Sequence, residues 1–217
     1  TLEEINRAYV DERDVHVVRR MSGGGAVYHD EGNLNFSFMT DYQPDRLHDF
    51  DRFTRPLRRV LASMGVEARL EGRNDLVLDD DRKISGNAQF STSRRMFSHG
   101  TLMFNTDRTA LARALDVTPD KIDSKAHQSV RRRVANIAEV GGQVYDVPTF
   151  RRLLVEGLFP QDEAPVYSLD SEEWDAVVDL AERRYRRWAW NVGAAPAFDV
   201  RRRKRFDVGE VDVRLNV

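Results

Sequence analysis

The residues best suited to chemistry gather in a few short blocks, and the first is Arg19-Arg20-Met21-Ser22-Gly23-Gly24-Gly25-Ala26-Val27-Tyr28-His29-Asp30. Fixing a glycine costs more backbone entropy than fixing any other residue, so three in a row make an unfavourable linker. Backbone without side chains lets a ligand come close, and successive N–H groups can form an anion-binding nest. Two arginines at the entrance can fork onto phosphate oxygens. Together these residues predict a loop that holds a phosphorylated ligand. The bland alternative is a wide hairpin turn, which the flanking arginines disfavour. The loop lacks the Gly-Lys-Ser/Thr of a Walker A site. A strand rather than a helix is expected after it, unlike a dinucleotide fingerprint. Its cation must come from elsewhere in the chain.

Lys83 is the best candidate for that cation. In Asp81-Arg82-Lys83-Ile84-Ser85-Gly86, strand alternation puts Lys83 and Ser85 on the face opposite Ile84. With Ile84 toward the core, Lys83 points away from it, and solvent exposure is the commonest fate of such a lysine. Asn74-Asp75 can be plain turn residues, and His99 beside Gly100 can be a satisfied strand histidine. Arg131-Arg132-Arg133 and the run Arg201-Arg202-Arg203-Lys204-Arg205 read as solvated charged faces. A nucleic-acid signal in the second run would rest on composition alone.

The spacing of Leu2, Ile5, Ala8 and Tyr9 predicts an N-terminal helix, with Thr1 and Glu4 as its capping box. Val15 to Arg20 and Asn33 to Met39 read as strands on either side of the glycine loop. A long amphipathic helix is expected from Asp45 to Met64, with Leu47, Phe50, Phe53, Leu57, Val60, Leu61 and Met64 on one side and Gly65 closing it. Strands at hairpin spacing follow: Val66 to Leu70, Leu76 to Leu78, Arg82 to Gln89 and Met96 to Asn105. Further helices are expected over Thr109 to Leu115, from Thr118, over Val147 to Leu158, and over Ser171 to Trp188. Ser124 to Arg133 is polar and poorly periodic and reads as a loop. Trp188 to Phe198 looks like a boundary segment, and Phe206 to Val217 alternates like the start of a β-hairpin. This order predicts an α+β fold, a mixed, largely antiparallel sheet covered by helices.

The 217 residues suit one good-sized domain, or one domain plus a small appendage. Because 34 basic residues nearly cancel 36 acidic ones, the net charge of −2 argues against a general nucleic-acid binder. No run approaches the roughly 18 apolar residues of a membrane span. The lack of cysteine excludes disulfides, thiolate metal sites and a cysteine nucleophile. With no signal peptide visible, a cytoplasmic protein is the default expectation. Thr1-Leu2-Glu3-Glu4 reads like a helix start inside a longer protein.

Taken in order, the blocks Arg19 to Asp30, Gly72 to Leu76 (GRNDL), Arg82 to Ala88 (RKISGNA), His99 to Leu102 (HGTL), Ser124 to Val134 (SKAHQSVRRRV) and Trp188 to Phe198 (WAWNVGAAPAF) are far more specific than any one of them. Through them the chain resembles the lipoate–protein ligase family of the biotin/lipoate ligase superfamily. The resemblance implies a biotin/lipoate ligase-like catalytic domain over residues 1–190, lacking N-terminal strands, then a linker and the start of a small accessory domain over 191–217. It implies ATP, Mg²⁺ and lipoate, activation of lipoate to lipoyl-AMP, and transfer of the lipoyl group to a lysine. The implied acceptors are the lipoyl domains of 2-oxoacid dehydrogenase acyltransferase subunits and the glycine-cleavage H protein, with no nucleic acid and no membrane. Lys83 would be catalytic and would bridge the carboxylate and the α-phosphate. ATP and the adenylate would lie on Arg20, Gly24, Gly25, Ala26, Val27, Tyr28, Asn74, Asp75 and Lys83, with Asp75 also reaching Mg²⁺. Lipoate would meet Lys83, Gly25 and His99, and Ser124, Lys125, Ser129 and Arg131 would belong to an adenylate-binding loop. Transferases of the superfamily carry the acyl group on a cysteine, which this chain lacks, so the ligase activity fits better. The alternative is a catalytically inactive relative or fragment that only binds lipoyl domains.

Overall fold

A computed structural model describes residues 2–115, 133–142, 145–161, 163–193, 199–206 and 209–215. It divides the chain into two compact units, Thr1–His16 with Arg20–Tyr167, and Val17–Arg19 with Ser168–Val217. The helix expected from Thr118 and the loop residues Ser124, Lys125, Ser129 and Arg131 lie outside the described residues.

The first unit is built on an antiparallel sheet of β1 (Asn33–Asp41), β2 (Arg69–Glu71), β3 (Asp75–Val77), β4 (Lys83–Ser91) and β5 (Arg95–Met103), in the order β1-β5-β4-β3-β2. Alternation in β5 sets its two faces. Met96, Ser98 and Leu102 are buried, while Phe97, His99 and Thr101 are only half-buried. The inner face packs on α2 (Phe50–Ser63) and α4 (Val147–Leu158). Leu57, Val60 and Leu61 of α2 join Leu76, Ile84, Leu102, Phe104, Phe150 and Leu154 in one core. Phe104 and Phe150 stack at 4.4 Å between ring centroids. The short helices α1 (Arg7–Glu12) and α3 (Arg108–Ala114) contact one another beside this layer. The α+β class read from the alternation is the observed one.

Several local expectations give way. Val15 to Arg20 forms no strand. The N-terminal helix breaks into a 3-10 turn, Leu2–Glu4, and α1, whose cap is Asn6 accepting from the Tyr9 amide at 3.2 Å. Glu4 is thus not half of a capping box; its carboxylate goes to the glycine loop. The long helix starts at Phe50 rather than Asp45, because His48 turns with φ +68° and Asp49 caps the Arg52 amide. Gly65 ends it with φ +81°, as expected of a left-handed closing residue. The strand expected from Val66 is confined to Arg69–Glu71. Finally, Val77 faces Lys83 while Leu76 faces Ser85, so Ile84 is an inserted residue of a β-bulge. The bulge breaks the alternation, and Ser85 is buried at 1% exposure instead of sharing an open face with Lys83.

In the second unit, α5 (Ser171–Leu180) opens with a reciprocal capping box between Asp170 and Glu173 and passes into a π-helical turn, Ala181–Tyr185, before the expected end at Trp188. Its apolar residues Trp174, Val177 and Val178 are exposed. Two strands, β6 (Val200–Phe206) and β7 (Gly209–Leu215), form the hairpin, so the basic run is a hairpin strand and Phe206 ends that strand rather than starting the element. Arg19 belongs to this unit. Its amide donates to Asn191 Oδ1 at 2.8 Å, its Nε to the Trp190 carbonyl at 2.9 Å, and its carbonyl accepts from Trp190 Nε1 at 2.8 Å. Arg19 thus binds residues of its own unit through its amide, Nε and Nη2.

Candidate active site

The outer face of the sheet floors a cleft of about 730 Å³, lined by the glycine loop from Gly23 to Val27, by Asn74, Asp75 and Lys83, and by the outward residues of β1, β4 and β5. Register explains the floor. Ser37 pairs with His99 and His99 with Ala88, a row across three strands in which all three residues line the cleft. Asn35 and Thr101, Phe97 and Gln89 extend that floor. Periodicity assigned these residues to strands without showing which face would stay uncovered.

The glycine loop is held from two sides. Arg20 donates through Nη2 to the carbonyls of Gly23 and Gly25, both at 2.9 Å, and through Nε to Ser22 Oγ at 3.1 Å. The guanidinium thus organises the loop as well as lining the cleft. Burial lowers its pKa from the ordinary value, with Glu4 opposing that shift. Gly24 has φ +105°, and a Cβ there would lie 2.7 Å from Arg20 Nη2, so this position requires glycine. On the other side the Ala26 amide donates to Glu4 Oε2 at 2.6 Å. Among the described residues, the amides of Gly23, Gly24 and Gly25 have no protein acceptor. Ala26 is thus not a free member of the predicted nest, whereas the glycines are.

Beneath the loop, Ser22 Oγ lies 2.6 Å from His99 Nε2. Burial lowers the His99 pKa, and the Arg20 charge lowers it further. In neutral His99 the Nε2 lone pair can accept the Ser22 hydroxyl proton while Ser22 accepts from Arg20. One chain of hydrogen bonds then ties loop to sheet. Sequence reading left Ser22 out; a small hydroxyl between Arg20 and the glycines was the available signal.

Lys83 lines the same cleft and pairs through Nζ with Asp75 Oδ1 at 2.8 Å. Its side chain lies across Gly86, where a Cβ would stand 3.1 Å from Nζ. Gly86 therefore gives the lysine its path. Asn74 is bound to β4 rather than presented freely: its side-chain amide donates to the Asn87 carbonyl, and Asn87 Nδ2 returns a bond to the Asn74 carbonyl at 2.9 Å. Val27 is exposed at the cleft, but Tyr28 is not among the lining residues. Arg73 and His48, which sequence reasoning passed over, line the cleft. The His48 amide is held by Gln89 Oε1 at 2.6 Å. No cluster of three or more His, Cys, Asp or Glu side chains suited to a metal occurs among the described residues.

Such a cleft can receive an anion on glycine amides, place an ammonium beside it, and seat a longer ligand along a sheet floor. Comparison with known proteins gives this chemistry a context. A family model described as the lipoyl protein ligase A/B catalytic domain matches residues 1–159. The chain is 48% identical over 220 residues to lipoate-protein ligase LplJ of Bacillus subtilis and 45% identical over 217 residues to lipoate–protein ligase 1 of Staphylococcus aureus. In both cases all of this chain and 66% of the relative are covered, so the chain spans just under two thirds of their length. Among solved structures, a bipartite lipoate protein ligase of Thermoplasma acidophilum, described with its E2 lipoyl domain, superposes with TM-score 0.75 at 26% identity, over 92% of this chain and 79% of that one. Plasmodium falciparum LipL1 in complex with lipoate matches with TM-score 0.75 at 27% identity, over 99% and 62%. A lipoate-protein ligase A bound with ATP matches with TM-score 0.74 at 25% identity, over 89% and 78%.

Proposed function

Since the chain belongs to the lipoyl protein ligase A/B catalytic family, we propose that it activates lipoate with ATP and passes the lipoyl group to a lysine of an acceptor protein. The observation that carries this reading is that one cleft is lined both by the glycines whose amides have no protein acceptor among the described residues and by Lys83. Relatives at 45–48% identity named as lipoate–protein ligases, and related structures described with lipoate or with ATP, support the substrate pair.

The first step brings a carboxylate to a polyphosphate. Two unit charges about 4 Å apart repel by about 4 kcal/mol at an effective dielectric near 20, so fixed cations and oriented donors must offset that repulsion. A lipoate carboxylate oxygen attacks the α-phosphorus, the bond to the β-phosphate oxygen breaks, and pyrophosphate leaves. Lys83 contributes a retained positive charge between carboxylate and α-phosphate; it is not a nucleophile. Asp75 orients the ammonium. The amides of Gly24 and Gly25 receive phosphoryl oxygen, Arg20 keeps those amides aimed, and Val27 walls the ligand. Asn74 fixes the turn that carries Asp75. His99, joined to Ser22, lines the acyl side without transferring a proton. In the second step the neutral ε-amine of the acceptor lysine attacks the acyl carbon, AMP leaves with the bonding electrons, and the amine loses a proton.

Magnesium normally binds through phosphates and one or two carboxylates. Asp75 is the carboxylate in the cleft that fits, and the ion would screen phosphate charge. The acceptors that fit are lipoyl domains of 2-oxoacid dehydrogenase acyltransferase subunits and the glycine-cleavage H protein; the Thermoplasma relative is described with an E2 lipoyl domain. No helix of the described residues is long and apolar enough to cross a membrane.

Incubating the full-length protein with ATP, Mg²⁺, lipoate and a purified lipoyl domain tests the reading by intact mass. The domain should gain one lipoyl group only when ATP and lipoate are both present. An unshifted mass would contradict the reading.

A further inference from the structure

The geometry points to Glu4 as a positioning residue for the anion-binding amides of the glycine loop. The inference rests on the nucleotide reading of that loop and adds a residue outside the cleft lining. Glu4 closes the 3-10 turn Leu2–Glu4. The chain beyond it is anchored at once, by a bridge from Ile5 to Leu115 and by the Asn6 amide donating to the Ala114 carbonyl at 2.8 Å. From that fixed base the carboxylate reaches 22 residues along the chain to accept the Ala26 amide at 2.6 Å. Its two oxygens would lie 3.6 and 3.8 Å from a Cβ at Gly25, so the carboxylate runs alongside the loop without a clash.

The loop is gripped at its end by Glu4 and at its start by Arg20, which holds the Gly23 and Gly25 carbonyls. A chain of glycines has no side chains to fix its own conformation, so amides left to themselves would lose their aim at a ligand. A charge-assisted bond to a backbone amide is roughly twice as strong as a neutral one, and Glu4 is also the acid that opposes the burial of the Arg20 charge. Holding Ala26 away leaves the Gly24 and Gly25 amides to face the anion. Glu4 acts through the loop and touches no ligand.

The test measures affinity for ATP and for inorganic pyrophosphate in the full-length protein, its Glu4→Ala variant and its Glu4→Gln variant, with melting temperatures alongside. Glutamine keeps an acceptor oxygen for Ala26; alanine does not. Glu4→Ala should bind both probes about tenfold more weakly, the scale of one lost charge-assisted hydrogen bond. Glu4→Gln should recover most of that loss, and melting temperatures should be unchanged. Wild-type affinity in Glu4→Ala, or losses in both variants that track a falling melting temperature, would overturn the positioning role and leave the nucleotide reading standing. Failure of the wild-type protein to bind either probe would overturn both.

Discussion

A backbone torsion of +105° at Gly24, with Arg20 Nη2 only 2.7 Å from where a Cβ would sit, makes this residue a sharp probe of the loop. Valine there must strain the backbone and displace the guanidinium that holds two loop carbonyls, at a cost of about 1–3 kcal/mol for the strain alone. Gly24→Val should weaken ATP binding by about tenfold or more in equilibrium dialysis; an unchanged affinity would refute the loop's role. His99 gives a pH signature. Its folded pKa lies below the ordinary value, first through burial and then through Arg20. The folded state therefore binds fewer protons than the unfolded chain. The stability it contributes is present above the unfolded value near 6.5 and is lost as pH falls through that value toward the folded one. Urea unfolding between about pH 7.5 and 5 should show the wild type losing stability faster than His99→Gln. Parallel profiles would contradict the placement. At this scale the residue types were legible and their partners were not. Arg20 and Lys83 stood out as cations, but nothing local showed that Arg20 would bind carbonyls or that Glu4 would reach Ala26.

Elements with a strict period were legible because a single buried face imposes it. β1, β5 and α4 fall within two residues or so of where alternation and helical spacing put them. What pattern could not reveal were the breaks. Val15 to Arg20 has β-prone residues but pairs with no strand among the described residues. The helix α2 starts late because His48 turns left-handed and Asp49 caps the Arg52 amide. The bulge at Ile84 is set by pairing with β3, a non-local fact, and it decides where Lys83 points. Gly157 likewise looks like a weak point inside α4, yet a Cβ there would lie 2.6 Å from Val60 Cγ1, so glycine is what permits the close approach to α2. The layer beneath the sheet can be tested at Leu61, which is fully buried in the core. Leu61→Ala should cost about 2–5 kcal/mol by denaturant unfolding. A loss below about 0.5 kcal/mol, typical of surface changes, would contradict that packing.

Across the first unit, helices cover one face of the sheet and the cleft occupies the other, so the rigid layer and the chemistry share the same strands. β5 illustrates the division: Met96, Ser98 and Leu102 face the core while Phe97, His99 and Thr101 face the ligand space. Lys83 takes part in this division through β4, and its partly exposed pair with Asp75 contributes little to folding. Removing its charge should therefore separate function from stability. The most direct measurement is formation of lipoyl-adenylate, with release of pyrophosphate, by the full-length protein and by Lys83→Ala. The wild type should form adenylate only when ATP and lipoate are both supplied. Lys83→Ala should lose at least about 10²–10³-fold in rate, the scale of one preorganised electrostatic group, while melting at the wild-type temperature. A normal adenylate yield from Lys83→Ala would contradict the account.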